Sequence, residues 1–246
     1  MKAMIFAAGI GSRLKPYTIH KPKALVEVGG KPILEWIIQK LINTGINQII
    51  INIHHFGEQI IEYLNEKKHF GINIEISDER TLLQDTGGGL KKAAWYLEGD
   101  DPFLLHNVDI LSAIDLKELI QFHKKTNPLA TLAIKQRVGS RFLLVNKKNQ
   151  LCGWENIKTG EKIISRPCDD LVRKAFSGIH VVSPAIFPLI KEDGIFSITE
   201  LYLRLAANHI LSGFDHSQDY WNDLGTPETL FQAESAIKTI GPEKFL

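Results

Sequence analysis

The chain contains almost no cysteine, no long hydrophobic run and no excess of charge of one sign. Its two cysteines, Cys152 and Cys168, predict no disulfide framework and fit a reducing compartment. No segment is long and apolar enough to span a bilayer, and we expect no signal peptide before the first apolar segment. A formal net charge of +1 argues against a surface that coats nucleic acid. We therefore expect a cytoplasmic protein with neither membrane nor nucleic-acid partners, in which any anion site is local.

The remaining composition is that of an ordinary soluble globule, with 44% hydrophobic and 23% charged residues among 246. Strand-like and helix-like segments alternate through the first half. Strands are expected at residues 4–8, 48–54, 72–77 and 103–107, and helices at 32–43, 58–66 and 86–96. Pro32 lies at the start of its helix and Gly45 just beyond the end. Strands separated by helices predict a largely parallel sheet.

The second half of the chain is less regular. Strands are expected at residues 130–136, 142–145 and 176–182, and helices at 197–208 and 227–239. The stretch NKKNQ after Val145 is typical of a hairpin turn. Ser197 and Glu200 have the spacing of a capping box. Residues 156–174 fit no element. The pattern as a whole indicates the α/β class.

A glycine-rich stretch, AAGIGSRLKPYTIHKPKAL, follows the end of the first predicted strand. Gly9 and Gly11 fit the start of a dinucleotide fingerprint, but Leu14 stands where the third glycine is required. A phosphate-binding Walker loop is also excluded, because it must end in G-K-S or G-K-T, whereas Gly11 is followed by Ser12 and Arg13. Two interpretations remain. The loop directs backbone N–H groups at an anion beside Arg13, or it is a plain turn with solvated basic residues.

Charged residues collect where the predicted strands end, which is where ligands bind in open parallel sheets. Arg13 and Lys23 follow the first strand, Asp109 follows the strand at 103–107, and Asp223 lies in the stretch YWNDLGT. Two carboxylates, two cations and a glycine loop are what a nucleoside triphosphate with Mg²⁺ requires. Individually, each aspartate is also compatible with a turn or strand end, and Lys23 with a surface lysine.

The long stretch MIFAAGIGSRLKPYTIHKPKALVEVGGKPILEW resembles the signature of the sugar-1-phosphate nucleotidyltransferases. The family pattern is a hydrophobic strand, then A-A-G-x-G-x-R-L-x-P, then P-K. DTGGGLKKA, FSGIHVVSP and WNDLGTPE resemble further family segments, so the resemblance covers nearly the whole chain. It implies a single Rossmann-like, GT-A-like domain with a mostly parallel central sheet and a small sugar-binding β subregion. It also implies transfer of a nucleotidyl group from a nucleoside triphosphate to a sugar 1-phosphate.

The resemblance assigns expected roles to individual residues. Ala8, Gly9 and Gly11 would lie against the triphosphate, Arg13 would hold its leaving half, Lys23 would sit near the α-phosphate, Asp109 and Asp223 would hold Mg²⁺, Glu79 with the Gly87 and Gly88 backbone would face the base, and Asn107, Ser177 and Gly178 would line the sugar pocket. Residues 1–110 would form the nucleotide-binding half, and residues 111–246 the sugar-binding half and closing helices. No C-terminal β-helix is expected.

Two features depart from the family pattern. Val108 stands where members often have glycine before the first metal-binding aspartate, and its β-branched side chain disfavours positive φ values. The E-K-P sugar motif of larger members is absent, and SRPCDD stands roughly in its place. His54 and His55 are interpreted as the end of a strand rather than as metal ligands. The implied acceptor needs no general base, because a sugar phosphate with a second pKa near 6 is largely dianionic at neutral pH.

Within the family, the chain is most similar to the members that use UTP and N-acetylmuramate 1-phosphate, which serve cell-wall sugar recycling. Members that join GTP to mannose or heptose 1-phosphate are the nearest alternative. Glu79 fits either base, since it can accept from uracil or from guanine. Arg137, Arg141 and Arg166 are candidate partners for the lactyl carboxylate, or else surface residues.

Two other function classes use related folds. A non-catalytic sugar-nucleotide sensor would not need Lys23 and both aspartates. A glycosyltransferase usually has a D-x-D motif, which the sequence D-I-L from Asp109 lacks. We therefore expect an enzyme, present as a monomer or a small homo-oligomer.

Overall fold

Strands and helices alternate along the chain in the computed structural model, which describes residues 1–246. The strands are β1 (Ala3–Phe6), β2 (Glu27–Val28), β3 (Lys31–Pro32), β4 (Gln48–Ile53), β5 (Asn73–Asp78), β6 (Phe103–Asn107), β7 (Ile110–Ser112), β8 (Ala130–Lys135), β9 (Arg141–Val145), β10 (Leu151–Asn156), β11 (Glu161–Ile164), β12 (Val172–Val182), β13 (Leu211–Asp215) and β14 (Trp221–Asp223). The helices are α1 (Ile33–Asn43), α2 (Gly57–Glu66), α3 (Asp85–Lys92), α4 (Ala94–Leu97), α5 (Leu116–Thr126), α6 (Ile198–Ala206) and α7 (Pro227–Ile240). None of these helices combines the length and the apolar composition that crossing a bilayer requires.

The chain divides into two compact units. The first consists of Met1–Leu83, His106–Ile114 and Asp219–Leu246, and the second of Gln84–Leu105 and Asp115–Gln218. The first unit therefore gathers three separate parts of the chain. These parts include the glycine-rich stretch and both aspartates predicted to hold a metal ion.

Parallel strands form the centre of the first unit. Strand β4 pairs in parallel with β1 and with β5, so that Asn52 lies opposite Phe6 and Ile53 opposite Asp78. Strand β4 has the sequence QIIINI and is buried at every position after the first, as expected for a parallel strand covered on both faces. The predicted α/β class with a parallel sheet is confirmed. The carboxyl ends of β1 and β5 lead directly to the glycine-rich stretch and to Glu79.

The second unit contains a mostly antiparallel group of strands. Strand β12 pairs antiparallel with β8 and β9, β9 with β10, and β10 with β11, whereas β13 runs parallel to β8. The pairing of β9 with β10 confirms the predicted hairpin at NKKNQ. The register of β12 against β8 shifts between Phe176 and His180, and Gly178 within this bulge has a φ of 74°.

Helix α5 is absent from the sequence prediction, although the helices expected at 32–43, 58–66 and 227–239 are confirmed as α1, α2 and α7. The side chain of Asp115 caps α5 by accepting from two backbone N–H groups of the first turn. His123 lies on the buried face of α5 and bonds through Nδ1 to a threonine hydroxyl at 2.9 Å. Burial lowers the pKa of His123 to about 4. A histidine at a buried position weakens the apolar period by which the helix would be recognised.

Two predicted helices differ in detail from the structure. The helix expected over residues 86–96 is divided at Ala93 into α3 and α4. At α6, the side chain of Ser197 accepts from the N–H of Thr199 rather than of Glu200, so the predicted capping box is not formed. The cap itself is confirmed, and only its partner was wrong.

The two cysteines form a disulfide, so the prediction that none would form is wrong. Cys152 lies in β10 and Cys168 follows β11, with 6.4 Å between their Cα atoms. The backbone N–H groups of Ser165 and Arg166 donate to the carbonyl of Cys152 at 2.9 and 3.0 Å. These bonds bring the end of the β10–β11 hairpin back beside Cys152, a proximity that the spacing in the sequence does not reveal.

We expect reduction of this disulfide to lower the free energy of unfolding by about 3 kcal/mol, because the bond closes a loop between residues 16 apart. Urea unfolding with and without a thiol reductant measures the difference. The double variant Cys152→Ser/Cys168→Ser is the control and should not respond to the reductant. Two titratable thiols in the unfolded, unreduced protein would contradict the pairing.

Candidate active site

The glycine-rich stretch leaves β1 through two buried alanines and then becomes exposed at Gly9. Gly11 has the left-handed values φ 68° and ψ 29° and precedes a 3-10 turn at Ser12–Leu14. A Cβ atom at Gly11 would lie 3.0 Å from Thr18 Cγ2 and 3.1 Å from Lys23 Cβ. Conformation and packing therefore both favour glycine at position 11. A Cβ atom at Gly9 would meet no protein atom within 4 Å, so this side of the loop is open.

Lys23 is held against Asp109 by an ion pair. Pro22 has an extended backbone and leads into the 3-10 turn Lys23–Leu25, which directs the lysine side chain inward. Its Nζ donates to Asp109 Oδ2 at 2.7 Å, and the two side chains are 8% and 26% exposed. A largely buried ammonium group requires such a partner. Lys23 is thus not the solvated surface lysine that one interpretation of the sequence allowed.

The two predicted metal-binding aspartates lie side by side. Strands β7 and β14 pair antiparallel with Asp223 opposite Ile110, and the N–H of Leu224 donates to the carbonyl of Asp109 at 2.7 Å. Arg13 approaches the same place, with 3.9 Å between its Nη2 and Asp223 Oδ2. At this distance, and with both side chains well exposed, the Arg13 contact contributes little to stability. Both cations and both carboxylates predicted from the sequence are therefore brought together within the first unit.

The donor set at this cluster fits an open metal site. No three or more histidine, cysteine, aspartate or glutamate side chains are arranged to hold a metal ion, which excludes a closed protein cage. The backbones of Asp109 and Asp223 are adjacent, and one or two carboxylates are the set that Mg²⁺ takes when phosphate oxygens complete its coordination. Because Asp109 Oδ2 already accepts from Lys23, the lysine and a metal ion would share this carboxylate.

Val108 lies between β6 and Asp109, the first aspartate predicted to bind metal, and is not strained there. Its side chain is 3% exposed, and its N–H donates to the carbonyl of Phe6 at 3.0 Å. Its φ is not positive. The valine therefore packs inside the first unit and adopts a backbone conformation that any residue can take.

Glu79 follows β5 and is completely buried. Its Oε1 accepts from Asn52 Nδ2 at 2.8 Å, and Asn52 Oδ1 accepts from the N–H of Ala7 at 2.7 Å. The carbonyl of Glu79 lies 2.7 Å from His54 Nδ1. Sequence reasoning passed over Asn52, although a single amide within a run of buried isoleucines must be hydrogen-bonded and so carries a detectable signal.

Gly87 and Gly88 lie in the second unit, at the start of α3. Their N–H groups donate to the carbonyl of Phe196 at 2.9 and 3.3 Å. A Cβ atom at Gly87 would lie 2.4 Å from the Phe196 ring, and one at Gly88 would lie 2.6 Å from the carbonyl oxygen of Gly194. The group that approaches this backbone closely is therefore the segment containing Gly194 and Phe196 in the same unit.

The residues predicted to line the sugar pocket are distributed over both units. Asn107 ends β6 and is half-buried in the first unit. Ser177 and Gly178 lie at the bulge of β12 in the second. Ser177 is fully buried, and its Oγ lies 2.7 Å from His216 Nε2. Burial, reinforced by the charge of Lys135, lowers the pKa of His216 to about 4. Nothing in the sequence around His216 indicates this pairing.

The three candidate arginines occupy different settings in the second unit. Arg166 donates from Nη2 to the carbonyl of His209 at 3.0 Å. Arg137 reaches the carbonyl of Phe176, 3.5 Å from its Nη2, beside the β12 bulge. Arg141 is exposed at the start of β9. Arg137 thus contacts Phe176, the residue that precedes Ser177.

The sequence model described as nucleotidyl transferase matches residues 2–240. The chain is 32% identical to a mannose-1-phosphate guanyltransferase of Yarrowia lipolytica, over 93% of this chain and 61% of that protein. It is 29% identical to the N-acetylmuramate alpha-1-phosphate uridylyltransferase of Caulobacter vibrioides, over 96% of each chain.

Among solved structures, the fold is similar to that of HddC from Yersinia pseudotuberculosis complexed with GMP-PN. The TM-score is 0.75 at 20% identity, over 96% of this chain and 99% of that one.

Proposed function

The chain belongs to the nucleotidyl transferase family, as the match over residues 2–240 establishes, and we propose that it transfers a nucleotidyl group from a nucleoside triphosphate to a sugar 1-phosphate. The family membership predicted from the sequence is confirmed. The observation that carries the proposed activity is the junction of Lys23, Asp109 and Asp223, which comes from three distant parts of the chain. A non-catalytic sensor would have no need of it.

The proposed reaction is an attack of the sugar phosphate oxygen on the α-phosphorus of the triphosphate, with pyrophosphate as the leaving group. The attacking oxygen already carries negative charge, so no side chain has to remove a proton. The barrier is repulsion between two anions and charge growth on pyrophosphate, which positioned cations lower. Lys23 and Arg13 would supply this charge. A Mg²⁺ ion held by Asp109 and Asp223 would neutralise phosphate oxygens.

For the substrates, we propose UTP as donor and N-acetylmuramate 1-phosphate as acceptor, in recycling of cell-wall sugars by a monomer or small homo-oligomer. The mutual coverage of 96% with the Caulobacter uridylyltransferase supports this choice. The alternative is GTP with mannose 1-phosphate, supported by the higher identity of 32% to a relative of which the chain spans 61%.

We predict at least a tenfold preference in kcat/KM, about 1.4 kcal/mol, for UTP with N-acetylmuramate 1-phosphate. The competing pair is GTP with mannose 1-phosphate. Pyrophosphate release is measured for each of the two triphosphates with each of the two sugar 1-phosphates. A preference of tenfold or more for GTP with mannose 1-phosphate, or with heptose 1-phosphate if it is added to the comparison, would overturn the substrate proposal. It would leave the reaction class standing. No release from any nucleoside triphosphate and sugar 1-phosphate would favour the sensor.

A further inference from the structure

We infer that Asn52 is a positioning residue that fixes the start of the glycine-rich stretch, with the buried Glu79 carboxylate as its anchor. The inference rests on the proposed function, in which this stretch binds the triphosphate. It gives Glu79 a role that requires no contact with the base.

The backbone leaves the sheet at Ala7, the first residue after β1. Ala7 is 3% exposed, so its N–H needs a partner within the protein. That partner is the side chain of Asn52, whose Oδ1 lies 2.7 Å from the Ala7 nitrogen. Asn52 stands opposite Phe6, the last residue of β1. The Asn52 side chain thus takes the place of the next backbone hydrogen bond between β1 and β4. It sets the direction in which the chain leaves β1 toward Gly9.

The chemistry of its two partners fixes the orientation of the Asn52 amide. The Ala7 N–H can only donate, so the oxygen of the amide must face it. The Glu79 carboxylate, when ionised, can only accept, so the Nδ2 group must face it, and the separation is 2.8 Å. Asn52 is 3% exposed and Glu79 fully buried. Water is therefore a poor substitute for either partner.

Glu79 is itself held firmly enough to serve as an anchor. Its N–H donates to the carbonyl of Ile53 at 2.8 Å, and its carbonyl accepts from His54 Nδ1 at 2.7 Å. Asn52, Ile53 and His54 are consecutive, and they therefore hydrogen-bond to the side chain, the N–H and the carbonyl of Glu79, respectively. The line Glu79–Asn52–Ala7 crosses the carboxyl ends of β5, β4 and β1.

The test is Asn52→Asp, which keeps an oxygen for the Ala7 N–H but sets a second carboxylate against Glu79. We expect the KM for the triphosphate to rise about tenfold, which is within the range for a lost buried hydrogen bond. The factor should be the same for UTP, GTP, CTP and ATP wherever turnover is measurable. The KM for the sugar 1-phosphate should not change, nor should kcat at saturation. Asn156→Asp is the matched control, because Asn156 is also buried, at the end of β10 in the second unit.

The double variant Asn52→Asp/Glu79→Gln restores a donor opposite a carboxylate, so we expect it to return the KM values toward wild type. An unchanged KM in Asn52→Asp overturns the inference. So does a change that differs between bases, or a double variant that folds without recovering, because Glu79 would then act on the base directly. Thermal unfolding reports folding of every variant. Dissociation constants for the same triphosphates without acceptor keep the test valid even if no pyrophosphate is released.

Discussion

Asp109→Asn and Asp223→Asn are each expected to reduce Mg²⁺-dependent turnover by at least about a hundredfold, the scale of one lost electrostatic contact to a transition state. The amide keeps the shape of the side chain and removes the charge that would hold the ion. The two variants should differ in stability. Asp109 pairs with Lys23 at 2.7 Å in a largely buried setting, whereas the contact between Asp223 and Arg13 is longer, at 3.9 Å, and more exposed. Loss of the buried ion pair in Asp109→Asn should therefore lower the free energy of unfolding by more than loss of the exposed Arg13 contact in Asp223→Asn.

Pyrophosphate release over a Mg²⁺ titration, together with urea unfolding, measures both effects. Asp215→Asn is a matched control, because Asp215 pairs with Lys174 at 2.6 Å with side chains of comparable exposure, 15% for the lysine and 32% for the aspartate. It should lose stability without the hundredfold loss of turnover. If either site variant keeps near-normal activity at saturating Mg²⁺, that aspartate does not hold the ion.

The elements that the sequence predicts well are those whose pattern is local. Strand β4 is a mostly apolar run of strand length. Helix α1 begins after Pro32 and ends before Gly45, so residues next to the helix mark both of its ends. Helix α5 carries a local signal too, in Asp115 as a cap. Its buried face includes His123, however, and this polar residue breaks the apolar period.

The features that the sequence does not reveal depend on distances between remote residues. Asp109 is recognisable at a strand end and Lys23 after Pro22, but the ion pair between them joins positions 86 apart. The disulfide likewise depends on the return of the β10–β11 hairpin to Cys152. Residue types and spacing suggest which groups serve one site, and only the fold gives their separation.

At Asn52 and Gly87, the sequence indicates a physical requirement but not the group that meets it. A glycine run permits another group to approach the backbone closely, and in the structure the group beside Gly87 is Phe196. A lone asparagine in an apolar strand predicts a buried hydrogen bond, and the structure adds that its two partners are Ala7 and Glu79. In both cases the physical requirement is readable from the sequence, whereas the identity of the partner is not.

Lys23→Ala is expected to lower kcat by at least about a hundredfold and to raise the KM for the triphosphate much less. The Lys23 side chain is 8% exposed, and its ammonium group is fixed by Asp109 at 2.7 Å. Its charge is therefore in place before the substrate binds and requires little reorganisation during the reaction. Such a charge acts most strongly where negative charge develops, which is in the transition state, and its loss then appears in kcat.

Steady-state kinetics at saturating sugar 1-phosphate separate the two constants for Lys23→Ala. Lys174→Ala is the control, because it breaks the comparable ion pair with Asp215 in the second unit. It should reproduce a loss of stability without the loss of kcat. An effect of Lys23→Ala on KM alone would assign the lysine to uniform binding of the triphosphate, since a contact equally strong in the ground and transition states leaves kcat unchanged.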